Sequence, residues 1–274
     1  MRSKSERIMK LFSTKINQNK RFFASVLAVL FLAGWFSFAY YLFSNQILII
    51  PIVGEVVGFE ATTIALTQGK LDANVKAIIL YFDTPGGSAY ACMEIAKYVQ
   101  DVAKTTKPVI AVLGPVCASG GYYIASFANY ILTHSNTITG SIGVIAVWVD
   151  MSGYYAQQGI NITVWTTGSE KDMGADWRPP TTQEREMINS TVYSIYHTLL
   201  TDIQQNRNLS QEVLEIIKTG GTFSGSDAVE LNLADAIGDI PSALVEAIRM
   251  KRLWKFIIVS SDMDDKHRFL TALF

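Results

Sequence analysis

The chain has 274 residues, 49% of them apolar and 17% charged, with a mean hydropathy of +0.22. That length holds one good-sized catalytic domain with appendages, and the composition is rather apolar for a soluble chain. The net charge of −1 hides an asymmetry: Arg2, Lys4, Arg7, Lys10, Lys15, Lys20 and Arg21 against Glu6 give residues 1–21 a net +6, which leaves the remainder near −7. The basic segment has the character of a membrane flank. No basic patch with interleaved aromatics follows it, which excludes a nucleic-acid partner.

Residues 22–44 carry no charge over about 23 positions. At about 1.5 Å per residue they cross a hydrocarbon core of about 30 Å with some tilt to spare. Trp35, Tyr40 and Tyr41 lie in the C-terminal half, the last two suited to an interface. The expected organisation is a basic cytoplasmic segment at 1–21, a transmembrane signal anchor at 22–44, an extracytoplasmic domain at 45–250, and a tail at 251–274 that is an interface element or a disordered end. This makes a single-pass protein of the cytoplasmic membrane with its N-terminus inside. A cleaved signal peptide is the rival reading.

Gln46–Val53 is predicted as the first strand, with Pro51 marking an edge or the end of pairing. A turn and a helix are predicted over 54–71. The near-continuous apolar run 75–81 suits a strand covered on both faces. Asp83-Thr84-Pro85-Gly86-Gly87 then turns the chain into a helix over 88–103, with Ala91, Ile95, Val99 and Val102 on one face. The plan repeats at 109–113, where a strand-like run leads through Ala118-Ser119-Gly120-Gly121 into a helix over 122–127. Two successive strand–turn–helix units argue for an α/β domain with a mainly parallel sheet, whose chemistry sits at the strand C-termini. That brings Gly86, Gly87 and Ser119 onto one rim.

Tyr130–Thr133 is a short strand candidate. Thr139-Gly140-Ser141-Ile142-Gly143 is another small-residue turn, leading into 144–149. A short helix is predicted over 151–158, a strand over 162–165, and a loop at Gly168-Ser169-Glu170-Lys171-Asp172. Thr181 and Glu184 form a capping-box pattern at the head of a helix whose stripe is Ile188, Val192, Ile195, Leu199 and Ile203. Another helix runs from Leu209-Ser210 to about Lys218, a turn, short helix and turn occupy 220–239, and a last amphipathic helix covers 241–249.

Cys92 and Cys117 form no CxxC pair and read as buried small residues. His134, His197 and His267 are scattered, so no metal site is expected. Neither a Walker A motif nor a G-x-G-x-x-G fingerprint is present, and no cofactor is expected. Ser119 at a strand–helix turn has two readings: a small residue in a packing turn, or an outward nucleophile. A serine needs a base, and the histidines sit in unpromising contexts, so a lysine held neutral is the other activator. Lys171 is the candidate by its loop position; a lone lysine in a polar loop is usually just solvated, and that is the stronger reading from spacing alone. The N–H of Gly120, with that of Gly86 or Gly87, can hold an oxyanion if the two rims meet. Ser141 can orient the lysine or can simply be small where the chain turns.

Four segments, taken together, resemble the signal peptide peptidase SppA family of membrane serine proteases. They are Thr84-Pro85-Gly86-Gly87, Cys117-Ala118-Ser119-Gly120-Gly121-Tyr122-Tyr123, Thr139-Gly140-Ser141-Ile142-Gly143-Val144 and Gly168-Ser169-Glu170-Lys171-Asp172, in the family's order with similar gaps. Phe223-Ser224-Gly225 and Leu231-Asn232-Leu233-Ala234-Asp235-Ala236-Ile237-Gly238 resemble its closing segment. The likeness covers roughly residues 46–245. Departures are Thr84 where serine is common, Gly221 near a frequent basic position, and Asn232 for a frequent glycine. The resemblance implies a ClpP/crotonase-like α/β fold, a β–β–α spiral core with mostly parallel strands. It implies a Ser–Lys dyad of Ser119 and Lys171, with Ser141 beside the lysine and Gly86, Gly87 and Gly120 at the oxyanion hole. It further implies remnant signal peptides or other apolar peptides as substrates. Ring-shaped homo-oligomers, an octamer among the candidates, are implied too, with the lysine supplied by the adjacent subunit. The rival readings are a quality-control protease for membrane-protein fragments, a crotonase-type acyl-CoA enzyme, and a non-catalytic membrane scaffold.

Overall fold

The structure is a computed structural model that describes residues 4–43, 45–105, 107–251, 257–260 and 269–270. Helix α1 (Lys4–Phe43) is a continuous 40-residue helix, so the basic segment and the apolar run share one element. Its stretch Phe22–Tyr40 is long and apolar enough to cross a membrane, and none of it is buried against the rest of the chain.

Strand β1 (Gln46–Val53), helix α2 (Glu60–Leu71), strand β2 (Val75–Thr84), helix α3 (Ala89–Ala103), strand β3 (Val109–Ala118) and helix α4 (Gly120–Ala125) follow in turn. β1, β2 and β3 pair in parallel, with Ile49 opposite Ile79 and Ile79 opposite Ile110. Their apolar runs are unbroken because both faces are covered. Leu48, Ile78, Leu80 and Ala111 turn into a core with Leu66 of α2 and Ile95 and Val99 of α3. The alternate residues Ile47, Ala77, Ile79, Ile110 and Val112 fill a second core on the other face. Pairing at period two with burial on both sides is what a parallel sheet between helical layers requires.

The chain continues with β4 (Tyr130–Thr133), β5 (Ile138–Gly140), α5 (Ser152–Gln157), α6 (Thr182–Arg207) and α7 (Gln211–Ile217). The remaining elements are β6 (Thr222–Ser224), α8 (Gly225–Glu230), β7 (Ala236–Ile237), α9 (Ile240–Lys251), β8 (Ile257–Ser260) and β9 (Phe269–Leu270). The first half of β3 pairs with β4 and its last three residues with β5, so the sheet forks there. Gly114 sits at that fork, where a Cβ would meet the Phe82 carbonyl oxygen at 2.5 Å. Only β5–β6 and β8–β9 are antiparallel among the described strands. The second core is closed by Ala243, Leu244 and Ala247 of α9. The sheet is thus a mixed α/β sheet with mostly parallel strands behind an N-terminal apolar helix, as the strand–turn–helix repeat anticipates.

Two local expectations change. The 162–165 run is not a strand: it has no pairing partner, and Trp165 is 87% exposed. The 144–149 run, for which no element is predicted, is also unpaired among the described residues, with Ile145 and Val147 exposed. A β-branched run favours a strand only where a neighbouring strand offers its backbone, and none of the described strands pairs there. The α6 stripe is buried only at its C-terminal end, at Leu199 and Ile203, while Ile188, Val192 and Ile195 are half-buried. Of the tail 251–274, β8 extends the sheet in parallel beside β1. Its positions 252–256, 261–268 and 271–274 lie outside the described residues.

The closing segment is held by charge. Arg207, 8% exposed, donates through both Nη atoms to Asp235 at 3.1 and 3.0 Å and through Nε to the Asn232 carbonyl at 3.0 Å. Asp235 also accepts from the Ile131 amide at 2.6 Å, fixing the segment to β4. Removing one partner leaves a buried charge uncompensated, so Asp235→Ala is expected to cost about 3–5 kcal/mol of stability. Denaturant titration measures this, and a loss under about 1 kcal/mol would remove the pair from the account.

Candidate active site

β3 delivers Ser119 directly to the head of α4. Its backbone sits at φ 52°, ψ −123°, a conformation non-glycine residues rarely adopt. Such strain costs on the order of 1–3 kcal/mol and persists only where the surroundings enforce it. Here the Ser119 amide donates to the Gly140 carbonyl at 2.8 Å, and the Tyr123 amide returns to the Ser119 carbonyl at 3.0 Å. The result is the sharp strand-to-helix bend that projects a nucleophile in other hydrolases, although the sequence lacks their G-x-S-x-G pattern.

The Gly86-Gly87 turn meets this bend, as the sequence reading required. A Cβ on Gly86 would lie 2.9 Å from the Gly120 nitrogen and 2.9 Å from the Ser119 Cβ. Gly86 adopts φ +102°, which needs glycine. Its amide, however, donates to Thr84 Oγ1 at 3.1 Å, and its carbonyl accepts from the Val56 amide at 2.8 Å. Gly86 therefore builds the turn and has no donor to spare. Val56 also bonds the Ser88 amide at 2.8 Å, which turns the Gly87 amide the other way. Among the described residues neither Gly87 nor Gly120 finds an acceptor for its amide. A Cβ on Gly120 would lie 3.7 Å from the Gly87 nitrogen, so the two free donors are neighbours.

Ser119, Gly87, Gly120 and Ser141 line one cavity of about 880 Å³. Ser141 has φ 49° and donates its amide to the Gly221 carbonyl at 2.8 Å. The walls are mainly apolar: Met93 from α3, Ile142 and Val144 after β5, and Val192, Ile195 and Tyr196 from α6. Cys92 closes the floor, packed so tightly under Gly120 that a Cβ there would strike its sulfur. Burial pushes the Cys92 thiol up to about 11, so it packs as a neutral group. Tyr123 also lines the cavity and donates to Asp202 of α6 at 2.7 Å, which ties that wall to the Ser119 turn.

Lys171 is not brought to Ser119. It lies in an exposed loop, its amide bonded to the Gly168 carbonyl at 3.2 Å, and it does not line the cavity. The sequence reading missed the α6 wall, because an apolar stripe at helical spacing reads as core. The signal was Tyr193 and Tyr196 beside that stripe, aromatics more than a core face needs. Arg178 was missed as well; its signal was its spacing of six residues from both Asp172 and Glu184.

A strained serine with two free amides beside it in an apolar groove is an arrangement suited to acyl transfer. The fold and site thus describe an α/β protein with a groove suited to that chemistry. The profile of peptidase family S49 matches residues 101–253, more than half of the chain. A protein of Enterococcus faecium named after signal peptide peptidase SppA is 31% identical over 202 residues, covering 73% of this chain and 59% of that one. Protease 4 of Haemophilus influenzae is 31% identical over 212 residues, covering 74% of this chain and 34% of its own length. The chain therefore spans little more than half of the first relative and about a third of the second. The solved structure of a membrane-bound stomatin-specific protease superposes with a TM-score of 0.51 at 20% identity, over 74% of this chain and 84% of that one, and so shares the fold. This chain belongs to peptidase family S49.

Proposed function

We propose that the protein is a membrane-anchored serine endopeptidase that cuts apolar peptides, remnant signal peptides among them, through an acyl-enzyme. The observation that carries this reading is the Ser119 bend, with the free Gly87 and Gly120 amides beside it in an apolar groove. Ser119 Oγ attacks the scissile carbonyl carbon and its proton passes to neutral Lys171 Nζ. The oxyanion is held by the amides of Gly87 and Gly120; losing one such donor costs about 3 kcal/mol in other hydrolases. The lysine ammonium then protonates the leaving amine. Neutral lysine next takes a proton from water, whose oxygen attacks the acyl carbon and frees Ser119. Ser141 accepts or donates a hydrogen bond at the lysine and orients it.

The base comes from an adjacent copy in a ring-shaped homo-oligomer. The position of Lys171 outside its own chain's Ser119 cavity supports this, as does the unpaired apolar run with Ile145 and Val147 exposed. The groove suits an extended apolar peptide, and Phe22–Tyr40 suits an anchor at the cytoplasmic membrane with the catalytic domain outside. A serine-directed phosphonate probe tests the reading. It should modify Ser119 in the membrane-extracted protein, with an apolar peptide competing. Modification elsewhere, or none while the protein is folded, would contradict it.

A further inference from the structure

The loop that bears Lys171 has little backbone to hold it. Between β5 and α6 the described residues form only the short helix α5 and isolated turns, and no strand pairs there. One side chain gathers this segment. Arg178 Nε and Nη2 hold the two carboxylate oxygens of Asp172 at 3.0 and 2.7 Å. Its Nη1 and Nη2 hold those of Glu184 at 2.8 and 2.6 Å. Asp172 directly follows Lys171. Glu184 is fully buried and also accepts the Thr181 amide at 2.8 Å, completing the capping box of α6. The guanidinium lies 5.8 Å over the Trp148 ring, and Trp148 Nε1 donates to the Arg178 carbonyl at 3.2 Å. One planar fork therefore ties the Lys171 loop, the run after β5 and the head of α6 together.

We infer that Arg178 is a positioning residue for the general base: it fixes the Lys171 loop to α6 of its own chain so that the lysine is presented at a set place to the neighbouring copy. This rests on the reading of Lys171 as the base. The pairing is persistent: hydrogen bonds from Arg178 hold Glu184 down at about 2 and Asp172 below the usual carboxylate range. Both carboxylates stay ionised at any pH where a lysine base can work, so the fork does not open as the base is deprotonated. A bidentate guanidinium is required because a lysine ammonium cannot present paired donors to two carboxylates at once.

The test uses the full-length protein and an apolar peptide reporter. Arg178→Gln should lower kcat at least tenfold with KM within twofold, and Arg178→Lys should restore only part of it. Asp172→Asn frees the loop while leaving the Arg178–Glu184 pair in place, and should lower kcat about as much with a smaller loss of melting temperature than Arg178→Gln. That variant decides the matter if Arg178→Gln does not fold. Subunit mixing separates positioning from general structure. Arg178→Gln should lower recovered activity at least tenfold when placed on the Lys171-bearing chain, but not on the Ser119-bearing chain. Equal loss from both placements, or kcat within twofold for Asp172→Asn, would overturn the inference. Should Lys171→Ala itself keep full turnover, the base reading fails instead. Without recovery on mixing, supply from a neighbour fails, and the kcat of Asp172→Asn still decides the role of the fork.

Discussion

Ser119→Ala is expected to lower peptide hydrolysis at least about a thousandfold, since removing a nucleophile from a working unit forfeits most of its rate enhancement. The same position gives a second, independent expectation. Ser119 is held at φ 52°, so alanine inherits its strain, whereas glycine does not. Ser119→Gly should be as inactive as Ser119→Ala yet more stable by about 1 kcal/mol, after allowance for the entropy glycine loses on folding. A stability held down for function is what a strained nucleophile implies. Calorimetry on the two variants separates these effects. A glycine variant less stable than the alanine variant would mean that the bend is not strained.

The second large effect is at Lys171. Lys171→Ala should lower turnover about as far as Ser119→Ala, because a serine hydroxyl without a base is a weak nucleophile. Its stability should change by no more than about 0.5 kcal/mol, as for most surface substitutions. The side chain is exposed and makes no hydrogen bond or ion pair among the described residues. Activity and stability therefore part company at this residue. A variant with reduced melting temperature and proportionately reduced activity would instead mark Lys171 as structural.

Much of the framework was legible in the sequence because it is local. The strand–turn–helix repeat around Gly86-Gly87 and Ser119 depends on short apolar runs and small residues in sequence order. The Thr181–Glu184 capping box is written in four consecutive positions and forms as read. What the sequence could not disclose depends on partners far away in the chain. The run 162–165 has the β-branched pattern of a strand but meets no edge to pair with among the described residues. Gly86 and Gly87 look interchangeable as donors, and only the hydroxyl of Thr84 and the backbone of Val56 distinguish them. Arg178 resembles any surface arginine until the fold sets Asp172 and Glu184 on either side of its fork. The separation of Lys171 from Ser119 is of the same kind: the two residues are 52 positions apart in the chain, and nothing in that spacing says whether one copy or two completes the site.

Mixing two inactive chains tests the central claim most directly. Ser119→Ala protein retains Lys171, and Lys171→Ala protein retains Ser119. If the base reaches Ser119 from a neighbouring copy, each alone should be inactive, and subunit exchange should restore hydrolysis of an apolar peptide to a substantial fraction of wild type. Recovery absent despite demonstrated exchange, with both single variants inactive, would place serine and lysine in the same chain and contradict the account.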